Sequence, residues 1–169
     1  CDDFFFFYLM RTDKRLSEIG GNIHYERLKE EVIDKLRKPT VISYKAYNCQ
    51  NSSFKNKFLM NKKIIIVEGA YSSHPYFENY ADYKIFLKID EKTQKKRILE
   101  RNGEEMLNRF LSEWIPLEKE YFNAFKIEEN AVIVSSGFLL SKLILYLANH
   151  NIGGFEKLYP IPASIGGAI

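Results

Sequence analysis

The stretch that decides the predicted fold is KKIIIVEGAYSS, residues 62–73. Two lysines precede four consecutive β-branched residues, 64–67, and the run ends at Glu68 and Gly69. A short apolar run with these boundaries is typical of a parallel strand that is buried on both faces. Ligands of open α/β sheets bind beyond the carboxyl ends of such strands, so Glu68 is a candidate site residue. The alternative is that Glu68 only caps the following turn.

Strand-like and helix-like segments alternate on both sides of this run. The turn signal Gly20-Gly21-Asn22 precedes the first helix, Gly103 and Pro116 separate later helices, and residues 48–56 look like a polar loop. This alternation indicates βαβ units and a largely parallel sheet flanked by helices, an α/β fold. Besides 64–67, strands are predicted over residues 4–9, 40–44, 83–89 and 131–134, and helices over 23–37, 91–101, 104–114, 117–125 and 138–149.

Length and composition narrow the class of protein. A chain of 169 residues predicts a single domain, which we place at residues 1–150 with a loosely ordered tail at 151–169. The net charge of +3 is too small to indicate a nucleic-acid partner. The longest apolar stretch, 138–148, contains Lys142 and is too short to cross a membrane. Two cysteines without a disulfide pattern favour the cytoplasm.

Two groups of candidate residues are carboxylates at predicted strand ends. Asp2 and Asp3 stand beside the first strand, where a carboxylate could accept a proton from a hydroxyl or hold Mg²⁺ through water. Glu68 suits an outer-sphere contact to the same ion. The alternative for Asp2 and Asp3 is that they are solvated acids at a terminus.

Two further groups could bind a ligand. The first group is arginines around Gly103, namely Arg97, Arg101 and Arg109. If Gly103 acts as a hinge, these arginines could close over phosphates. The common alternative is that they are solvated side chains on a helix face. The last group is polar and aromatic and suits a planar ligand with hydroxyls, although any one tyrosine could be ordinary core. It consists of Arg11, Asn22, His24, Tyr25, Arg27, Tyr44 and Tyr47.

Several short motifs in order resemble the uridine kinase-like branch of the P-loop nucleoside kinases, the uridine kinase and phosphoribulokinase type. They are DDFF, RTDKRLSEIGGNIHYERLKEEV, SYKAYNC, IIIVEGAYSSHP, DYKIFLKID and KKRILERNGEEMLNRFLSEWIPLEKEYFNAF, and they cover about residues 1–135. The resemblance implies a P-loop-kinase-like parallel sheet of five strands with a helical, arginine-bearing lid. It also implies ATP and Mg²⁺ and transfer of a phosphoryl group to a nucleoside hydroxyl.

The resemblance assigns roles to particular residues. Asp2 would be the catalytic base. Glu68 would hold Mg²⁺, and Asp2 would contact the same ion through water. Arg97 and Arg101 would be catalytic residues of the lid. The acceptor would be bound by Arg11, His24, Arg27 and Tyr47. The implied partner is a nucleoside or a similar small-molecule alcohol. Neither a nucleic acid nor a membrane is expected as a partner, and an oligomer is possible.

The sequence departs from that family in three ways. It contains no G-x-x-x-x-G-K-[ST] loop, His24 stands where the family has Asp in N-x-D-Y-E-R, and Asn48 stands where Asp is common. Because the chain opens at Cys1 without Met, we expect the first strand and phosphate loop to lie upstream, in residues missing from this chain. Two alternatives stay open: a kinase of another small alcohol, such as pantothenate or a sugar phosphate, and a degenerate, non-catalytic binding protein.

Overall fold

The structure, a computed structural model, describes residues 2–6, 12–38, 40–49, 51–60, 65–153 and 163. The chain forms two compact units. Unit 1 contains residues 1–82 and 117–127, and unit 2 contains residues 83–116 and 128–169. The prediction of one domain over residues 1–150 stays a prediction.

Unit 1 begins with a 3₁₀ turn, Asp2–Phe4, and two short helices, α1 (Asp13–Leu16) and α2 (Tyr25–Glu31). Thr12 caps α1 by accepting a hydrogen bond from the Arg15 amide. A 3₁₀ turn, Ile33–Lys35, continues α2. The predicted helix over 23–37 is therefore only seven residues of α-helix followed by a tighter turn, because Val32 leaves the helical conformation at ψ −64° and φ −125°.

A β-hairpin follows in unit 1. Strands β1 (Ile42–Asn48) and β2 (Ser53–Leu59) pair in antiparallel fashion, from Ile42 opposite Leu59 to Asn48 opposite Ser53. The prediction of a polar loop over 48–56 is wrong in its second half, where β2 begins. The predicted strand over 40–44 starts two residues later and runs to residue 48.

The core of unit 1 is rich in aromatic residues. Tyr121 and Ile23 are fully buried, and Phe77, which lies in the 3₁₀ turn Pro75–Phe77, is 2% exposed. Tyr121 is supplied by the later part of α4 (Ile115–Ala124), which begins just before Pro116. Pro116 is thus the second residue of α4, and it does not separate two helices as predicted, because the helical run from residue 91 to residue 124 continues through it.

Unit 2 contains a parallel strand pair and two longer helices. Strands β3 (Ile85–Lys88) and β4 (Val132–Ser135) pair in register, Ile85 with Val132. The helix α5 (Leu140–Asn149) buries an apolar stripe against them. This core consists of Val134, Leu140, Leu143, Ile144 and Leu147, with Leu87, Val132 and Ile152 packed against it.

The helix α3 (Glu91–Arg109) is kinked at Gly103, which has φ 81° and ψ 175°. It continues as a π-helical turn, Phe110–Trp114. The two helices predicted over 91–101 and 104–114 are therefore one kinked element that ends in a π turn. Gly103 interrupts it as predicted, since only glycine adopts such angles readily.

Two predicted strands are not found where residues are described. Residues 65–67 carry no strand assignment and Ile66 is 61% exposed, so that part of the prediction for 64–67 is wrong; residue 64 lies outside the described residues. Within the predicted strand 4–9, Phe5 makes only an isolated antiparallel bridge with Ile23, and residues 7–9 are outside the described residues. The β3–β4 pair is parallel, but two strands do not define a kinase-like sheet, which stays a prediction.

Among the helices of the described residues, none combines the length and the apolar character needed to cross a membrane. The predicted helix over 138–149 is α5, a core helix of unit 2. The tail predicted over 151–169 lies outside the described residues except for 151–153 and 163.

Candidate functional site

Unit 1 contains an open cleft of about 280 Å³ that brings together two of the predicted site residues. Asp2 and Glu68, 66 positions apart in the chain, both line it, and Asp3 and Tyr44 complete its polar part. The remaining wall is apolar. It is formed by Phe4, Leu28, Val32, Leu36, Leu59, Ile65, Ile66 and Val67.

Asp3 is held as a carboxylate in this cleft. Lys57 Nζ lies 3.0 and 2.8 Å from its two oxygens, and the Tyr44 hydroxyl donates to Oδ2 at 2.9 Å. Burial alone would raise the pKa of Asp3, but the hydrogen bonds from Lys57 and Tyr44 outweigh it and lower the pKa. Burial, together with the hydrogen bond to Asp3, raises the pKa of Tyr44 to about 12, so its hydroxyl keeps its proton.

A further acid, Glu118, lies close enough to Asp2 to feel its charge. Burial, and secondarily the negative charge of Asp2, raises the pKa of Glu118. Three acids, Asp2, Asp3 and Glu68, line the cleft, while Lys57 bonds to the Asp3 carboxylate and the Arg27 guanidinium to the Asp3 carbonyl. The cleft is therefore suited to neutral or cationic groups and unsuited to phosphates or carboxylates.

His24 and Arg27, predicted to bind an acceptor, have structural contacts. His24 Nδ1 accepts a hydrogen bond from the Arg27 amide at 3.3 Å and so caps α2. A neutral imidazole nitrogen can accept a hydrogen bond at a helix start, as an Asp side chain does. Burial lowers the pKa of His24, which keeps the ring neutral as a cap requires. The Arg27 guanidinium donates to the Asp3 carbonyl at 3.1 Å and lies 4.7 Å from the Phe4 ring centroid.

The other residues of that predicted group are separated. Tyr47 is buried at 7% exposure and packs on Phe54, with ring centroids 5.2 Å apart. The Asn22 side chain donates to the Tyr71 hydroxyl at 2.8 Å. Arg11 lies outside the described residues.

Sequence reasoning missed Arg15, whose side chain makes several hydrogen bonds within the described part of unit 1. Its guanidinium makes two 2.8 Å bonds to the carboxylate of Glu26, one at 2.8 Å to the Tyr25 hydroxyl, and one at 3.2 Å to the Gly21 carbonyl. Burial would lower the pKa of Arg15, but Glu26 reverses this and raises it. The i,i+3 spacing of Arg15, on α1, and Glu18, just after it, was the local signal in the sequence.

His74 is a second residue that the sequence analysis did not identify as a candidate. It is 8% exposed, its Nδ1 accepts from the Tyr76 amide at 3.2 Å, and its ring stacks on Tyr25 at 4.4 Å. Its Nε2 is buried without a hydrogen bond of normal geometry to any described residue, although the Ile19 carbonyl lies near enough to favour the charged form slightly. Burial is the larger effect and lowers the pKa of His74.

The three predicted lid arginines lie on unit 2 and do not converge. Arg97 donates to the Ser136 hydroxyl at 3.3 Å, Arg101 to the neighbouring Asn102 at 2.7 Å, and Arg109 to Glu113 at 3.1 Å. All three side chains are exposed. Of these, only Arg97 reaches the carboxyl end of a strand, since Ser136 directly follows β4.

The curated proteins that match this chain are reductases. No family model matches it. The chain is 43% identical to the UDP-N-acetylenolpyruvoylglucosamine reductase of Thermotoga maritima over 53 residues. These aligned residues make up 31% of this chain and 19% of that protein. The Clostridium tetani enzyme of the same name is 47% identical over 47 residues, 28% of this chain and 15% of that protein. The Pelagibacter ubique one is 32% identical over 94 residues, 54% of this chain and 31% of that protein.

The chain thus spans less than a third of the length of these relatives. Their names contradict the kinase interpretation, because a reductase transfers electrons and not a phosphoryl group. The resemblance to uridine kinases and the predicted nucleoside phosphorylation are therefore wrong, and so is the alternative of a kinase for another alcohol. ATP and Mg²⁺ are likewise wrong as cofactors.

Proposed function

We propose that this chain carries part of a UDP-N-acetylenolpyruvoylglucosamine reductase. The observation that supports this proposal is local sequence identity of 43% and 47% to reductases from Thermotoga maritima and Clostridium tetani. The proposed reaction is reduction of the carbon–carbon double bond of an enolpyruvoyl ether on a UDP-linked amino sugar. We place it in the cytoplasm, where the exposed free thiol of Cys49 would stay reduced.

Reduction of a double bond requires a two-electron donor. We propose FAD together with NADPH, because flavins and nicotinamides are the cofactors that transfer hydride. The proposed substrate and both cofactors carry phosphate groups. The binding residues should therefore include a positively charged side chain near backbone or hydroxyl donors.

The cleft of unit 1 does not fit such ligands. The carboxylate of Asp3 is held ionised there, and Asp2 and Glu68 line the same space. Bringing a diphosphate beside these groups would place like charges together. We therefore assign the anionic part of the ligand to unit 2.

In unit 2, Arg97 and Ser136 fit a phosphate best among the described residues. Arg97 is exposed, and its guanidinium lies 3.3 Å from the Ser136 hydroxyl at the carboxyl end of β4. The Ser136 amide also donates to the Lys88 carbonyl at 3.1 Å, which fixes this turn beside the end of β3. Ligands of α/β sheets bind at this end of parallel strands.

Isothermal titration of the purified chain with UDP-N-acetylenolpyruvoylglucosamine and with FAD tests the proposal. We expect binding of the UDP-linked substrate, weakened about tenfold by Arg97→Gln, which removes one charged contact worth about 1.4 kcal/mol. Arg101→Gln is the matched control, since Arg101 is on the same helix and bonds only to Asn102 among the contacts described for it. Equal affinity for both variants would remove Arg97 from the proposed site.

A further inference from the structure

The hairpin of unit 1 presents an open strand edge. In the described part of the chain, β2 pairs only with β1, and all seven of its residues are exposed. Phe58 is 68% exposed, and Met60, directly beyond the strand, is 70% exposed. An exposed strand with apolar side chains is a surface on which a further strand can add.

The contacts of β1 show which backbone groups of β2 point outward. The Lys45 amide donates to the Glu31 carboxylate at 2.8 Å, so it points away from β2. The pair of Lys45 with Asn56 is therefore a non-hydrogen-bonded pair of the ladder. Bonding alternates along an antiparallel pair, so Asn56 and Phe58 both direct their N–H and C=O groups to the open edge.

The segment that contains the hairpin is basic in sequence, and three of its five lysines lie on the two strands. Residues 41–67 contain five lysines and no acid, whereas the whole chain has a net charge of +3. The rest of the chain therefore has a net charge of −2, since +3 minus +5 is −2. On β2 itself, Lys57 is bound to Asp3, while Lys55 is exposed and has no acidic partner among the described residues. The lysines of the segment are Lys45, Lys55, Lys57, Lys62 and Lys63.

We propose that the open edge of β2 binds an extended, acidic segment of a partner protein as a third strand. Backbone bonds to Asn56 and Phe58 would fix the register, and an acidic side chain beside Lys55 would supply charge complementarity. A second copy of this chain fits less well in the register centred on Asn56. Antiparallel self-pairing centred on Asn56 places Lys55 opposite Lys57 of the other copy, and like charges directly opposite destabilise a strand pair.

Lysines on an edge strand also discourage indiscriminate pairing between sheets. The two roles predict different effects of the charge on the added strand. A lysine that only prevents pairing weakens the addition of neutral or basic strands, whereas it attracts an acidic strand. The sign of the charge on the added peptide therefore separates the two.

The test uses the full chain and two fluorescein-labelled decapeptides, one of alternating Glu and Val and one of alternating Lys and Val, with fluorescence anisotropy as the readout. We expect the acidic peptide to bind at least about tenfold more tightly. Asn56→Pro removes an outward N–H without touching the ladder to β1 and should weaken binding about tenfold, since proline is tolerated on edge strands. Asn56→Thr keeps that N–H and should bind like the wild type. Lys55→Glu should favour the basic peptide instead.

Circular dichroism of each variant confirms that the hairpin unit is folded. Absence of acidic-peptide binding, or equal binding of both peptides, overturns the proposal. Equal affinity of Asn56→Pro and Asn56→Thr also overturns it, because the backbone edge would then not be the contact. If oligothymidylate or anionic lipid vesicles bind the hairpin more tightly than the acidic peptide, the partner is of another class and the proposal is wrong.

Discussion

The imidazole of His74 stacks on the phenol ring of Tyr25, with ring centroids 4.4 Å apart and an angle of 15° between the planes. The guanidinium of Arg15 lies 3.9 Å from the centroid of the same Tyr25 ring. Two groups this close to one ring centroid must occupy its opposite faces. Protonation of His74 would therefore put a second cation against a ring that already carries one, inside a buried cluster.

Unit 1 should lose stability in mild acid because of His74. Burial lowers the pKa of His74 below the usual 6.5, so the unfolded chain takes up the proton first. The neutral ring's contribution to the free energy of unfolding is complete above about pH 6.5 and is lost as the pH falls through the lowered pKa. Urea unfolding between pH 5 and pH 8 measures this slope.

His74→Gln should flatten that pH dependence while also lowering the free energy of unfolding at pH 8, because the stack on Tyr25 is lost. The flattening will be partial, since burial lowers the pKa of His24 as well, with the same sign. His150→Gln, in an exposed position after α5, is the control. A slope in His74→Gln as steep as the wild type's would show that His74 is not responsible.

Gly20→Ala should destabilise unit 1 through both backbone and packing. Gly20 has φ +78°, and a Cβ there would lie 2.8 Å from Cδ2 of His74 and 3.1 Å from Cδ2 of Tyr121. We expect a loss of about 2–4 kcal/mol from strain and overpacking together. Gly103→Ala is the matched control, because Gly103 has φ +81° but no atom within 4 Å of the added Cβ. Equal losses measured by chemical denaturation would show that the contact with His74 and Tyr121 costs nothing.

Arg15→Lys should cost about 1–3 kcal/mol even though the charge is kept. A lysine cannot reproduce the two bonds to Glu26 together with the contact to the Gly21 carbonyl. Lys96→Gln, which breaks an exposed 3.8 Å pair with Glu100, should change the free energy of unfolding by less than about 0.5 kcal/mol. The free energies of unfolding of the two variants are compared through their urea midpoints, with the same dependence on urea concentration, the m-value, for both. A cost for Arg15→Lys no larger than that of Lys96→Gln would contradict the structural role of Arg15.

Tyr44→Phe should make Asp3 easier to protonate. The Tyr44 hydroxyl donates to Asp3 Oδ2 at 2.9 Å, and this bond helps to hold the pKa of Asp3 below its ordinary value. Its loss should move the NMR titration of the Asp3 carboxyl to higher pH, while Tyr47→Phe, away from that carboxyl, should leave it unchanged. Identical titration curves for wild type and Tyr44→Phe would show that Lys57 alone sets the charge of Asp3.

Periodic helices and apolar strands could be predicted from the sequence. The helix α5 and the strand β4 were found within two residues of their bounds, because each buries an apolar stripe that repeats at its own period. The strand β2 was missed because Ser53–Leu59 buries none of its side chains. An edge strand of this kind depends on its ladder, which no local pattern reveals.

The candidate site was predictable only in part. Asp2 and Glu68 line one cleft, but the strands that the prediction placed beside them are not found in the described residues, so their role as site residues stays a prediction. The Arg15 cluster could not be predicted, because it exists only once the turn at Gly20 brings Gly21, Tyr25 and Glu26 around one guanidinium. Individually, each of these residues resembles an ordinary surface position.

The central claim, that the chain carries part of a UDP-N-acetylenolpyruvoylglucosamine reductase, is tested most directly by calorimetric titration of the wild-type chain. Parallel titrations use UDP-N-acetylenolpyruvoylglucosamine and Mg-ATP. The account predicts saturable binding of the UDP-linked substrate, about tenfold weaker in Arg97→Gln than in Arg101→Gln, and no binding of Mg-ATP. Saturable binding of Mg-ATP with no heat from the UDP-linked substrate would contradict it.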